Sequence, residues 1–312
     1  MTKYTFLLPA YKEAFLEEAL NSIRSQTYTD FKCIVSDDHS PEELKTVYDR
    51  VVGDDPRFTY RRNEENIGGN NLVSHWNLLV NLCETEYFMM AGDDDLYAPN
   101  FLVEVDKLFV KYPKIGAVRA RTQNINSEGT ITSQDDCFPE IEEATSYLYS
   151  KYTCKHLGGV LNFAYNKEIL LQEGGFPEMP IAWFSDIMSG LICSKYGICN
   201  TSQVLCSMRV SGINLSCQLT RPIAEKKLQA AYIFYDWITN FIQENYDFSS
   251  LLNKNNYLRI EAGVKEIMNV HFRDCFRVVS KKQRFGIFKF MKHNHLFLSR
   301  QDGFSILLSS LL

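Results

Sequence analysis

The chain has 312 residues, of which 45% are hydrophobic and 23% are charged. This balance is typical of a soluble globular protein and excludes a disordered or fibrous one. The length allows one large α/β domain with an extension, or two domains. The formal net charge of −5 argues against a protein built to bind nucleic acid. Residues 221–312 carry 14 Lys+Arg and 8 Asp+Glu, whereas residues 1–220 carry 19 and 30, so we expect the two parts to contact different partners.

Short apolar runs alternate with amphipathic segments in the first half of the chain, which is the pattern of βαβ units in a mainly parallel sheet. Apolar runs predict strands at 4–8, 31–36, 58–62, 86–92, 115–122, 157–166 and 203–212. Helical spacing of apolar residues predicts helices at 15–23, 41–52, 72–80, 100–113, 169–172 and 185–197. The intervening stretch 123–157 is polar and irregular, and "NSEGTITSQDD" within it resembles a hairpin or a mobile loop.

From Pro222 onward the pattern turns helical, with one long helix at 224–246 and further helical segments to about residue 298. The break near residue 220 predicts a domain boundary, with a substrate-binding domain at 1–220 and a helical C-terminal extension at 221–312. The stretch "KKQRFGIFKFMKHNHLFLSR" interleaves cations with apolar side chains. Two interpretations stay open: contact with an anionic membrane surface, or packing on the domain or on a second subunit of a homodimer.

Nine cysteines are scattered without a CxxC pair, and the first residues lack the basic and apolar regions of a signal peptide. A cytoplasmic protein with reduced thiols and without a zinc site is therefore expected. The apolar ending at 304–312 is shorter than the roughly 20 residues of a membrane-spanning helix. The location predicted is the cytoplasm, with peripheral contact to the inner membrane face as the alternative.

Three consecutive aspartates, Asp93, Asp94 and Asp95, follow the fourth predicted strand in "MMAGDDDLYA". Adjacent carboxylates raise each other's pKa unless a positive charge is nearby. Ligands of open α/β sheets bind beyond the carboxyl ends of the strands, which is where this segment is placed. Mn²⁺ or Mg²⁺ is the expected partner, because such cations take oxygen ligands from one or two carboxylates and from substrate phosphates. A surface acidic turn is the alternative.

Four stretches in this order, "LLPAYKE", "SIRSQTYTDFKCIVSDDHS", "NIGGNN" and "GDDDLYAPNF", resemble the family 2 nucleotide-sugar glycosyltransferases with the GT-A fold. The resemblance covers roughly residues 1–212 and implies a Rossmann-like α/β fold with a mainly parallel sheet flanked by helices. It implies that the predicted domain at 1–220 is the GT-A nucleotide-sugar-binding and catalytic domain. It also implies sugar transfer from a nucleoside-diphosphate sugar, with UDP as the expected nucleotide, to an acceptor hydroxyl on a glycan or a lipid-linked carrier. Synthesis of bacterial surface polysaccharide is the implied setting. Sugar and acceptor depend on loops such as 123–157.

The resemblance assigns the nucleotide to Pro9, Tyr11 and Glu13 after the first strand and to Asp38 after the second. An aromatic ring such as that of Tyr11 can lie against a nucleobase, and Asp38 would accept a hydrogen bond from the uracil N–H. A solvent-facing turn tyrosine and a helix-capping aspartate are the alternatives. Gly68 precedes a helix, where backbone N–H groups can approach a phosphate, although a plain turn fits equally well.

Alignment on the following "LYAPN" makes Asp94 the metal ligand, with Asp93 on the nucleotide side and Asp95 as a second metal ligand. The metal would neutralise the diphosphate as it leaves. Relatives often carry an aspartate, associated with the ribose, where this chain has Gly92. The resemblance therefore implies a divalent-metal site that lacks one customary side chain.

Asp186 follows "GGFPE" at the predicted start of a helix and is the implied general base, which takes the proton of the acceptor hydroxyl in an inverting transfer. Capping of that helix is the alternative and is compatible with this role. Trp183 is expected to form a platform for a sugar ring or to pack in the core. Arg209 matches the arginine of an Arg-x-His segment of relatives, and His75 is expected on a helix surface.

Two further functional classes compete with the glycosyltransferase. A sugar-nucleotide-binding protein without turnover is suggested by Gly92 and by Ser211, which stands where relatives carry the histidine of Arg-x-His. A nucleotidyltransferase is disfavoured, because the chain has no glycine-rich, lysine-bearing phosphate loop.

Overall fold

The structure, a computed structural model, describes residues 2–296. The predictions for the apolar ending at 304–312 and for the last residues of the helical part lie outside the described residues. The strands of the described part are β1 Tyr4–Ala10, β2 Phe31–Asp37, β3 Phe58–Arg62, β4 Tyr87–Met90, β5 Leu96–Tyr97, β6 Ala117–Ile125, β7 Ile131–Gln134, β8 Ile141–Glu142, β9 Phe163–Asn166 and β10 Ile198–Arg209. Its helices are α1 Leu16–Arg24, α2 Leu44–Val52, α3 Ile67–Leu82, α4 Phe101–Lys111, α5 Ala144–Thr153, α6 Lys167–Gln172, α7 Ser185–Ser194, α8 Arg221–Asn245, α9 Leu251–Phe276 and α10 Lys281–His293.

The strands form one mixed sheet in the order β3-β2-β1-β4-β9-β6-β10-β5, with β7 on β6 and β8 on β10. Strands β3, β2, β1 and β4 are mutually parallel, β9 is antiparallel to β4 and β6, and β10 is parallel to β6. Six strands therefore run in one direction, and their carboxyl ends share one edge of the sheet. The predicted α/β fold with a mainly parallel sheet flanked by helices is confirmed.

Alternating side chains of the central strands serve two apolar layers. Tyr4, Phe6 and Leu8 of β1 belong to a buried cluster that also contains the apolar faces of α1, α2 and α4. Leu7 points away from that cluster, toward the side on which Phe88 and Phe176 pack with Trp76 of α3. The sheet is thus covered on both faces, which explains why β4 reads as a continuous apolar run.

The predicted elements agree with the structure except at their ends, but β5, β8 and α5 were not predicted. Helix α2 begins at Leu44 and not at Pro41, because the Ser40 hydroxyl accepts the N–H of Glu42 at 3.0 Å in a preceding side-chain turn. The hairpin predicted within 123–157 is formed by β6 and β7. The same stretch also contains α5, which its low apolar periodicity did not reveal.

The chain divides into two compact units, one formed by residues up to Tyr147 together with Lys155–Gly212, and the other by Leu148–Cys154 with the chain from Ile213 onward. In the second unit a Cβ at Gly263 would lie 2.1 Å from the carbonyl oxygen of Tyr152, so a larger residue there would push this segment off α9. The assignment of substrate binding to 1–220 stays a prediction.

Helix α10 begins with a capping box in which Ser280 and Gln283 bond each other's backbone N–H. Its Ile287 and Met291 are buried, while the lysines on its other side are exposed. Ile287 and Met291 are therefore used for packing, whereas Phe285 is exposed. A membrane role for this segment stays a prediction. No helix in the described range 2–296 has the length and apolarity needed to cross a membrane.

The second unit is expected to lose stability in mild acid through His271. Burial lowers the pKa of His271 to about 4, despite the opposing charge of Asp274. In the unfolded chain the imidazole binds a proton near pH 6.5, whereas in the folded chain it is protonated only near pH 4. The contribution of neutral His271 to the free energy of unfolding is therefore fully present above pH 6.5 and is lost as the pH falls toward 4. Urea unfolding at pH 7 and pH 5 should show a loss on the order of 2 kcal/mol that the His271→Gln variant lacks; equal losses in both proteins would contradict this role.

Candidate functional site

The edge of the sheet where the parallel strands end carries the predicted residues Asp38, Asp93–Asp95 and Arg209, together with Lys12, which was not predicted. Lys12 comes two residues after β1, Asp38 directly after β2, and the aspartates 93–95 shortly after β4. Strands β2, β1 and β4 are neighbours in this order, and Arg209 ends β10 at the same edge. This edge is the usual ligand position in an open α/β sheet.

Asp93 joins the loop after β4 to the loop after β1. Its Oδ2 accepts the backbone N–H of Tyr11 at 2.9 Å and that of Lys12 at 2.8 Å. Burial raises the pKa of Asp93, and the charge of Lys12 offsets part of that rise. Asp93 therefore holds the loop after β1 in place.

Lys12 is a site residue that the sequence analysis missed. Its ammonium Nζ lies 2.7 Å from Asp94 Oδ2 and 3.2 Å from Asp93 Oδ1. Partial burial lowers the pKa of Lys12, but the two carboxylates outweigh this effect and raise it overall. The signal available in "LLPAYKE" was a lysine two residues after β1, the strand that neighbours β4 and its aspartates. The positive charge that three adjacent aspartates require is thus supplied, at least in part, by the chain itself.

Asp95 connects the acidic segment to the end of β10. Its Oδ1 accepts the backbone N–H of Arg209 at 2.9 Å, and burial, with the charge of Asp94, raises the pKa of Asp95 to about 8. A Cβ at Gly92 would lie 2.3 Å from Asp95 Oδ2. The Asp95 carboxylate therefore fills the space that a side chain at position 92 would need, which gives the departure at Gly92 a steric reason.

Arg209 is buried and secures the acidic loop. Its Nε donates to the carbonyl of Asp94 at 3.0 Å, a terminal nitrogen donates to the carbonyl of Ser127 at 3.2 Å, and the other donates to Glu18 Oε2 at 2.6 Å. The guanidinium carbon lies 4.2 Å from the ring centroid of Phe15. These contacts make Arg209 a positioning residue for the aspartates.

Replacing Arg209 with methionine should lower the free energy of unfolding by about 3 kcal/mol, since buried carbonyls lose their donors. Arg209→Lys keeps the charge but lacks the planar guanidinium, so its free energy of unfolding should lie between those of Arg209→Met and the unchanged protein. Arg221→Met removes an exposed arginine paired with Glu225 and should cost under about 0.5 kcal/mol. Urea unfolding measures all three; a loss in Arg209→Met no larger than in Arg221→Met would contradict the positioning role.

Asp38 is held by its own chain. Its Oδ1 accepts from Asn63 Nδ2 at 2.7 Å and from the N–H of Ile67 at 3.0 Å, and its Oδ2 accepts the N–H of Gly68 at 2.7 Å. A Cβ on Gly68 would lie 2.7 Å from the same Oδ2. A carboxylate offers about four lone-pair positions, so three donors leave little capacity for a uracil N–H. Asp38 anchors the start of α3, and its contact with a nucleobase stays a prediction.

His75 is buried and not on the helix surface, contrary to expectation. Its Nε2 lies 3.0 Å from Ser36 Oγ, and its Nδ1 lies 3.6 Å from Asp38 Oδ2. Burial lowers the pKa of His75 more than the charge of Asp38 raises it. The residue belongs to the polar network under Asp38, because its position on α3 faces the sheet at the end of β2.

The three residues predicted after β1 differ in accessibility. Tyr11 is 42% exposed, and its carbonyl accepts the Ser40 hydroxyl at 2.7 Å. Pro9 lies within β1 and is partly exposed, whereas Glu13 is exposed and its backbone N–H donates to Glu42. The Tyr11 ring is therefore accessible to a planar ligand, as the nucleobase prediction requires.

Asp186 occupies the first turn of α7, behind a strained segment. Ile181, Ala182 and Phe184 have φ values of 51°, 57° and 74°, in the left-handed region that β-branched and bulky residues avoid. Trp183 lies within this segment and is half-buried. A Cβ on Gly159 would lie 3.3 Å from Asp186 Oδ2, so the carboxylate faces the backbone there. Such strain persists where surrounding structure enforces it and is common at functional sites.

The described residues fit a divalent cation at one position. In the described range 2–296 no three carboxylate, histidine or cysteine side chains gather into a metal-type cluster. Oxygens of Asp93 and Asp94 nevertheless converge on the Lys12 ammonium, a positive charge in the place of an ion. One or two carboxylates suffice for Mg²⁺ or Mn²⁺ when phosphates complete the shell. Of the three aspartates, Asp94 could hold a cation with substrate phosphates, while Asp95 is bonded to the Arg209 N–H. The assignment of a metal to Asp94 and Asp95 stays a prediction.

The model of the family described as "Glycosyl transferase family 2" matches residues 5–170, more than half of the chain. The chain belongs to glycosyl transferase family 2. The match includes the three strand ends of the site, whereas Asp186 and Arg209 lie beyond it. Among curated relatives, this family 2 chain is 31% identical over 96 residues to a GalNAc(5)-diNAcBac-PP-undecaprenol beta-1,3-glucosyltransferase of Campylobacter jejuni, over 30% of each chain. It is 25% identical over 134 residues to the chondroitin synthase of Pasteurella multocida, over 43% of this chain and 14% of that enzyme.

Solved structures show the same fold at low sequence identity. TarS 1-349 of S. aureus, in complex with UDP-GlcNAc, matches with a TM-score of 0.60 and 15% identity, over 97% of this family 2 chain and 90% of the TarS chain. The mannosyltransferase PcManGT of Pyrobaculum calidifontis, in complex with GDP-Man and Mn²⁺, matches with a TM-score of 0.57 and 16% identity, over 99% and 86%. The GT-A fold expected from the sequence is thereby confirmed.

Proposed function

We propose that this chain transfers a sugar from a nucleoside-diphosphate sugar to an acceptor hydroxyl. The observation that carries the proposal is the Asp93–Asp94–Lys12 cluster at the carboxyl ends of β1 and β4, in a chain of family 2. It combines oxygen ligands for a cation with an ammonium for phosphate, and the accessible Tyr11 ring adjoins it in the chain. These groups are suited to bind a diphosphate.

UDP is the proposed nucleotide and Mn²⁺ or Mg²⁺ the proposed metal. TarS was solved with UDP-GlcNAc and PcManGT with GDP-Man and Mn²⁺, which supports a nucleotide-sugar donor without choosing between the two bases. When bound at Asp94, the cation supplies charge neutralisation for the diphosphate leaving group. The loop after β1, which carries Tyr11 and is bonded to Asp93, would orient the donor.

Asp186 is the proposed general base. Its carboxylate would accept the proton of the acceptor hydroxyl as that oxygen attacks the anomeric carbon from the side opposite the diphosphate, so that the configuration inverts. The strained backbone before α7 supports this role, because such strain is common where a functional side chain must be held in a defined position. A glycan or lipid-linked acceptor in bacterial surface polysaccharide synthesis is proposed, in line with the undecaprenol-linked substrate in the name of the Campylobacter relative.

A sugar-nucleotide-binding protein without turnover is the second candidate. It is favoured by the engagement of Asp38 with its own chain and by Lys12 in the cation position. Release of free sugar from UDP-sugars over hours, or transfer to an added acceptor, would separate an enzyme from a binding protein.

The deciding experiment is a thermal-shift panel of UDP, GDP, dTDP and CDP, each with Mn²⁺ and with EDTA. A ligand at 100 times its Kd stabilises the native state by about 2.7 kcal/mol, which is readily seen. A larger stabilisation by one nucleotide in Mn²⁺ than in EDTA is expected, with UDP as that nucleotide. No shift with any nucleotide would refute the proposed donor, and pyrophosphate release from a nucleoside triphosphate would favour a nucleotidyltransferase.

A further inference from the structure

The Lys12 side chain is held at both ends. Its backbone N–H donates to Asp93 Oδ2, and its ammonium contacts Asp94 at 2.7 Å and Asp93 at 3.2 Å. The side chain is 28% exposed, whereas each of the two aspartate side chains is 9% exposed. The ammonium therefore covers the carboxylates on a side that solvent reaches.

An ammonium and a divalent cation cannot share this position at low cost. A cation bound to Asp94 at about 2 Å would lie beside a nitrogen that contacts the same oxygen, and two positive charges at that separation repel strongly. Asp95 is bonded through Oδ1 to the Arg209 N–H, so Asp94 is the carboxylate that Lys12 and an incoming cation would share. An incoming cation must therefore displace Lys12 from Asp94.

We propose that Lys12 is the resident counter-ion of Asp94 and that it competes with the divalent cation. In the free protein the tethered ammonium keeps cation affinity low. A nucleoside diphosphate changes the balance, because its phosphate oxygens give the displaced ammonium a new partner and complete the cation's ligand shell. Cation and donor then bind cooperatively, and each raises the affinity for the other by the same factor. The second half of this proposal rests on the proposed donor, whereas the first half does not.

The first test is Mn²⁺ binding to the nucleotide-free protein, followed through the EPR signal of unbound Mn²⁺. Lys12→Met should bind Mn²⁺ at least tenfold more tightly than the unchanged protein, and Lys12→Arg should remain close to it. Lys32→Met is the matched control, since it removes an exposed lysine of β2 that pairs with Glu84. Its Mn²⁺ affinity should not change.

Equal or weaker Mn²⁺ binding by Lys12→Met would overturn the proposal, as would the absence of Mn²⁺ binding from both proteins. If Lys12→Met does not fold, Lys12→Gln replaces it, because a glutamine amide can still donate to a carboxylate without carrying charge. The double variant Lys12→Met with Asp94→Asn should lose the gain in affinity. A gain that persists in the double variant would place the Mn²⁺ elsewhere and overturn the proposal.

The second test is calorimetry of UDP with and without saturating Mn²⁺. In the unchanged protein Mn²⁺ should raise UDP affinity by at least tenfold, and Lys12→Met should weaken UDP binding in EDTA by a similar factor. Undiminished UDP binding by Lys12→Met in EDTA would refute the proposed contact between the displaced Lys12 ammonium and the phosphates. If no nucleotide binds at all, the proposed function fails, and the Mn²⁺ titration still decides whether Lys12 is the counter-ion.

Discussion

Asp186→Asn is expected to lower kcat by about 10²- to 10⁴-fold, which is the usual contribution of a general base. Donor affinity should stay within about twofold, because the substitution is isosteric and the acceptor side alone loses a proton acceptor. The N-cap of α7 is Phe184, so Asp186 is not the capping residue that the alternative required. The loss of one negative charge in the first turn of α7 should cost under about 1 kcal/mol. A large loss of activity can therefore be assigned to proton transfer.

Donor turnover and UDP calorimetry on the same preparation separate the two effects. Asp49→Asn is the matched control, since Asp49 is an exposed helical aspartate paired with Lys45 on α2. It should keep full activity. Full activity of Asp186→Asn would show that the base lies elsewhere, and loss of UDP binding in that variant would show that the strained segment before α7 serves the donor.

Asp94→Asn is expected to abolish the Mn²⁺-dependent stabilisation by UDP. The amide keeps one oxygen but lacks the charge that a hard cation requires. The folded state should tolerate the change, because losing the contact with Lys12 is offset by the loss of repulsion from Asp93 and Asp95. The difference in UDP-induced melting shift between Mn²⁺ and EDTA should therefore vanish.

The melting temperature of Asp94→Asn without ligand serves as the control for folding. Asp136→Asn is a suitable comparison, since the exposed Asp136 carboxylate only accepts the N–H of Lys155 on the protein surface. An unchanged Mn²⁺-dependent shift in Asp94→Asn would remove this residue from the metal site and leave Lys12 as the main charge facing the diphosphate.

Most strands and helices of the first unit were predictable because apolar periodicity reflects burial on two faces of a sheet. β3 matches its predicted bounds, and β4 lies within its predicted run. The position of the acidic segment followed from the same pattern, since strand ends meet at one edge. α5 was missed because its helical face is not apolar. The membership of residues 148–154 in the second unit depends on the close approach at Gly263, which no local pattern encodes.

The sequence by itself determined the order of elements, the placement of three aspartates at a strand end and the resemblance to family 2. The tertiary structure alone decided which partner each carboxylate has: Lys12 for Asp94, the Arg209 N–H for Asp95, and the start of α3 for Asp38. These partners lie 30 to 114 residues apart in the chain. Hydrogen bonds and charge pairs depend on distances of about 3 Å, which only the packed sheet and its loops set.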